Sequence, residues 1–67
     1  MESKEVTRRG AWVLLTPGEL LIISNALNEV CNGIDIPEFS TRMGVSLEEV
    51  QSLLKSIGVL YDQVAGK

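Results

Sequence analysis

Histidine is missing from this chain, and cysteine occurs once, at Cys31. Histidine is the side chain that titrates in the neutral range and the usual nitrogen ligand of zinc. Its absence excludes histidine-based acid–base catalysis and the common zinc sets. One thiol cannot build an intrachain disulfide, which fits a reducing, cytoplasmic setting. The aromatic residues are only Trp12, Phe39 and Tyr61, so a core has to be made from Leu, Ile and Val. Basic side chains are also scarce: six Lys and Arg against nine Asp and Glu leave a net charge of −3. Nucleic-acid binders draw most of their non-specific affinity from a basic excess, so the charge disfavours a nucleic-acid partner. No apolar run approaches the ~20 residues of a membrane span.

What is present suits one small domain. A chain of 67 residues buries only about 60% of its unfolded surface, and so leans on oligomerisation or on a partner. Its 45% hydrophobic content argues against a wholly disordered chain. Arg8 and Arg9 ahead of Ala11–Leu15 have the outline of a twin-arginine export leader. Pro17 and Glu19 interrupt that apolar run and no small-residue cleavage site follows, so a cytoplasmic protein is expected.

Three stretches repeat one grammar of helix initiation. In "TPGE", Thr16 caps, Pro17 occupies the first helical position and Glu19 completes a capping box. Leu20, Ile23, Leu27, Val30 and Cys31 then recur at helical spacing, and Asn32–Gly33 stops the run with Gly33 left-handed, predicting a helix over 17–32. In "DIPE", Asp35 caps a short helix over 36–43, with Phe39 and Met43 inward and Gly44 as its stop. In "SLEE", Ser46 and Glu49 form a third box, Val50, Leu53, Leu54 and Ile57 make the buried stripe, and Gly58 ends a helix over 46–57. Met1–Lys4 is polar and expected to fray. Val6–Leu15 reads as a short extended segment or an arm, and Val59–Val64 as a last helical turn or a strand.

Phe39, Ser40, Met43, Gly44, Val45 and Ser46, followed by Val50, Leu53 and Leu54, resemble the helix-turn-helix pattern of bacterial regulators. Ser40 is small where two helices would cross, and Gly44 makes a turn that a Cβ would obstruct. The resemblance covers about a quarter of the chain and implies a tri-helical shape. It further implies that Ser46, Leu47, Glu48, Gln51 and Ser52 face a major groove, where Gln51 and Ser52 suit base edges. Lys55 is the basic residue of that helix, and Arg8, Arg9 and Arg42 are the remaining cations that would meet phosphates.

Other residues have a sharp and a bland reading. Glu48 and Glu49 could form a metal or catalytic pair, but adjacent helical positions diverge by about 100°, and capping with a favourable helix dipole accounts for both. Cys31 lies on the apolar stripe with no histidine to act as its base, and reads as core filler. Asn25, Asn28 and Asn32 align on one face of the first helix and, being poor helix formers, mark either a hydrogen-bonding contact surface or an ordinary solvated face. Leu21 and Ile22 make the start of that helix apolar most of the way round, so residues 12–15 or a second subunit must cover it. Arg8, Arg9 and Trp12 could form a nucleic-acid arm or a solvated tail.

The sequence therefore predicts an all-α fold: a compact three-helix domain over 16–67 with a helix-turn-helix-like second half, preceded by an N-terminal extended segment over 1–15. The expected function is a non-enzymatic protein-interaction module (an adaptor, inhibitor or antitoxin-like partner) that binds a protein or forms a homodimer through Trp12, Leu21, Ile22, Asn25, Asn28 and Asn32. The alternative is a dimeric DNA-binding regulator using Arg8, Arg9, Arg42, Ser46, Leu47, Gln51, Ser52 and Lys55. No cofactor, metal, membrane or small-molecule substrate is expected.

Overall fold

The computed structural model describes residues 1–66. Its elements in chain order are β1 (Glu2–Thr7), β2 (Gly10–Leu14), α1 (Pro17–Asn28), a π-helical turn (Glu29–Gly33), α2 (Phe39–Met43) and α3 (Leu47–Ala65). The fold is mixed α/β, which corrects the all-α expectation. β1 and β2 form an antiparallel two-stranded sheet with Glu2 opposite Leu14, Glu5 opposite Trp12, Val6 opposite Ala11 and Thr7 opposite Gly10. A bulge between Ser3 and Glu5 interrupts the register.

The hairpin escapes a local reading because half of β1 is charged and it shows no apolar alternation. Pairing with β2, rather than propensity, makes it a strand. The two-residue loop Arg8–Arg9 also lacks the Asn-Gly or Gly-Gly signature of tight hairpins. Side-chain bonds hold it instead: the Arg9 backbone N–H donates to Thr7 Oγ1 at 3.1 Å, and that hydroxyl donates to the Gly10 carbonyl at 3.3 Å. Gly10 takes a φ of +150° as the chain re-enters the ladder. Met1–Lys4, expected to fray, is thus largely strand.

Two capping boxes form as the sequence implies. The Glu19 N–H donates to Thr16 Oγ1 at 3.2 Å while Thr16 N–H donates to Glu19 Oε1 at 3.0 Å. At α3 the Glu49 N–H donates to Ser46 Oγ at 3.1 Å, with Ser46 N–H returning to Glu49 Oε1 at 3.3 Å. The third box does not form. Pro37 keeps Ile36 out of the helical region, and Glu38 turns left-handed at φ +53° before α2 begins at Phe39. Asp35 therefore lies too early to cap, and α2 has no side-chain cap.

The glycine stops also differ in kind. Gly44 does end α2, at φ +78°. Gly33 is not left-handed; α1 widens into a π-helical turn that the Ile34 N–H closes on the Glu29 carbonyl at 3.0 Å. Gly58 stops nothing, and α3 runs on to Ala65. A mid-helix glycine costs about 1 kcal/mol relative to alanine. The packed stripe of Val50, Leu54, Ile57 and Tyr61 crosses Gly58 without a break and outweighs that cost.

α1 packs on α3, and the π-helical turn touches α3 as well. Between them lie the only two large side chains out of water among the described residues, Leu20 at 3% and Val50 at 5% exposure. Ile23, Leu27, Val30, Cys31, Leu54 and Ile57 are half-buried along the same segments. Leu53 was expected here but is 51% exposed. At 100° per residue it sits roughly 60° off the Val50 direction, on the flank of the stripe.

Candidate interaction surface

The helical layer leaves much apolar surface uncovered. A folded monomer of this mass exposes roughly 4,200 Å² by surface scaling, whereas this chain exposes 5351 Å². Its radius of gyration is 13.4 Å, against roughly 11 Å for a compact domain of this length. The hairpin explains both excesses. Every residue of β1 and β2 is exposed on both faces of the sheet, and the strands pack chiefly on each other.

β2 reads "GAWVL" and carries apolar groups on both faces. Trp12 and Leu14 lie on one side and Ala11 and Val13 on the other, with Trp12 71% exposed. An open groove of about 530 Å³ follows the loop end of the hairpin along Thr7, Arg9, Gly10, Ala11 and Trp12. At the other end the chain start docks on α1. Met1, Leu15, Glu19, Ile22 and Ile23 surround a hollow of about 280 Å³, and Ile22 stays 68% exposed beside it. Leu21 is likewise exposed on α1.

The Met1 α-amino group pairs with the Glu19 carboxylate. That pairing, with the Thr16 backbone N–H, holds the Glu19 carboxyl below the usual glutamate range. A carboxylate depressed in the folded state stabilises above its unfolded pKa and loses that contribution as pH falls through its folded pKa. The chain is therefore expected to melt at a higher temperature than Glu19→Gln in neutral buffer. The gap should close on acidification past the ordinary glutamate range and beyond. A gap independent of pH in paired melting curves would remove this role from Glu19.

The asparagine face partly satisfies itself, since Asn32 Nδ2 donates to Asn28 Oδ1 at 3.0 Å across the junction of α1 and the π-helical turn. Asn25 stands exposed one turn earlier. Trp12, on the hairpin, is on a separate element from Leu21, Ile22 and the asparagines. The residues proposed for a groove-reading helix are also dispersed. Arg8 and Arg9 form the hairpin loop, Arg42 the end of α2, and Lys55 the middle of α3. Ser46 spends its hydroxyl on the cap, and both Ser46 and Leu47 are half-buried. Gln51, Ser52 and Lys55 are exposed on α3 away from Val50, and Lys55 is that helix's one basic residue.

Two apolar features were missed from sequence. One is the open edge of β2. The other is a stripe of Leu53, Leu60 and Val64 along α3, all exposed. With Val50 and Ile57 these alternate by three and four residues, a spacing legible in the sequence once α3 is known to pass Gly58. Among the described residues no three Cys, Asp or Glu side chains converge as a metal site would, and no helix is long and apolar enough to cross a membrane. No protein-family model, curated protein or solved structure matches this chain.

Proposed function

We propose that this chain is a non-catalytic protein-interaction module whose folded state is completed by another polypeptide. The observation that carries the reading is the mismatch between a core of two residues among those described and the roughly 1,200 Å² by which the surface exceeds the monomer norm. A standard protein interface removes about 800 Å² from each partner, so the excess is of the size one association would cover. The composition agrees: with no histidine and one cysteine, acid–base and nucleophilic pairs are hard to assemble.

Affinity capture of the chain from native extract, with and without nuclease, tests the reading. The expected result is a complex well above 7.3 kDa that survives nuclease. A lone monomer, or a complex that nuclease dissolves, overturns it. Random duplex DNA should bind weakly or not at all at physiological salt, because α3 offers Lys55 alone for phosphate contacts and leads with Glu48 and Glu49. Micromolar binding that falls steeply with added salt would put the DNA-regulator reading ahead.

A further inference from the structure

Resting on the interaction-module reading, we propose that the polypeptide completing the fold is a second copy of this chain. It pairs β2 to β2 along their free edges, giving a four-stranded antiparallel sheet in the order β1–β2–β2–β1 about a two-fold axis.

The two strands differ in the way that central and edge strands differ. β2 is apolar on both faces, the pattern of a strand with neighbours on both sides and cover on both faces. β1, "ESKEVT", has charged residues and a bulge, the devices by which natural edge strands refuse further partners. Yet here β2 borders solvent and is as much an edge as β1. A two-stranded hairpin without packed faces is marginal in water, and three or more strands are needed for independent stability. Joining two β2 edges supplies four strands and leaves charged β1 strands on both outer sides. A foreign strand in the same place would leave its own outer edge open, whereas the two-fold assembly closes itself.

The backbone register allows this pairing. Thr7 and Gly10 close the two-residue loop. Alternation along an antiparallel ladder then turns the N–H and C=O groups of Ala11 and Val13 to the free edge. A two-fold axis at Trp12 sets Ala11 against Val13 of the second copy, with both bonds exchanged. Trp12 then faces Trp12 of the second copy as a non-hydrogen-bonded pair, whose Cα atoms approach to about 4.5 Å. The net charge of −3 per chain does not oppose this seam, because residues 10–14 carry no charge.

Sedimentation equilibrium over about 1–200 μM, a range that reports micromolar association, is the first test. The expected mass rises to twice 7.3 kDa. Val13→Pro removes an outward N–H and spares the bonds to β1, so it should hold the chain monomeric with its helical circular dichroism intact. A second measurement does not depend on how well that variant folds. In a Cys31→Ser background, Trp12→Cys should oxidise readily to a linked dimer, since the Cα separation suits a disulfide. Leu14→Cys, which lies opposite Gly10 of the second copy, should not. A wild-type chain that stays monomeric throughout, a dimer indifferent to Val13→Pro, or equal cross-linking at both positions each discards the β2 pairing. A monomeric pure chain that still yields a nuclease-resistant complex from extract discards the pairing alone and keeps the interaction module.

Discussion

Leu20→Ala is expected to destabilise the chain by about 2–5 kcal/mol, through the transfer energy of the lost methyl groups and the cavity they leave. Natural domains hold roughly 0.05–0.15 kcal/mol of stability per residue, so a chain of this length stands only about 3–10 kcal/mol above unfolding. Leu20 is one of two large side chains shielded between α1 and α3, and few neighbours can relax to replace it. Val50→Ala, with fewer atoms removed from the same contact, should cost about 1.5–3 kcal/mol. Leu53→Ala removes a half-exposed side chain and should stay below about 1 kcal/mol. Urea titrations of the three variants in dilute solution check the order. Equal losses at Leu20 and Leu53 would mean that α3 is rotated from the face described.

At Gly58 two substitutions should act with opposite sign. Gly58→Ala is expected to stabilise the chain by about 0.5–1 kcal/mol, because alanine is the better helix former and an added Cβ meets nothing within 4 Å. Gly58→Pro should cost about 3 kcal/mol or more: it deletes a mid-helix N–H bond, and its ring meets the carbonyl of Leu54. Were Gly58 the end of the helix, proline would be tolerated and alanine would strain the stop. Thermal melts of the pair separate the alternatives. A destabilising alanine would break α3 into a helix and a separate tail.

These expectations show where a local reading of the chain fails. The candidate surface was partly legible. Trp12, Leu21 and Ile22 stand out because apolar side chains surround their segments more completely than one packed face requires, and all three are exposed. The free edge of β2 was not legible, because an edge is defined by which backbone groups remain unpaired after folding. The Leu53–Leu60–Val64 stripe was hidden by Gly58, whose usual role as a helix stop cut the pattern short.

By itself the sequence determined the starts of α1 and α3. A capping box is complete within four residues, and Thr16–Glu19 and Ser46–Glu49 each close with both reciprocal bonds. It also determined the inner face of α1, since Leu20, Ile23 and Leu27 share one side through helical periodicity, while Val30 and Cys31 continue half-buried into the π-helical turn. Tertiary structure decided the rest. The sheet exists because Glu2 meets Leu14 and Glu5 meets Trp12, contacts that no propensity of "ESKEVT" encodes. The left-handed Glu38 is set by the path from Pro37 into α2, against the preference of its own side chain. α3 passes Gly58 because its inner stripe, with Val50 buried and Leu54, Ile57 and Tyr61 half-buried, runs on across it and outweighs the roughly 1 kcal/mol that glycine withholds. Bonds made between neighbours in sequence are readable from the chain, while those made between segments depend on which surfaces the folded molecule brings together.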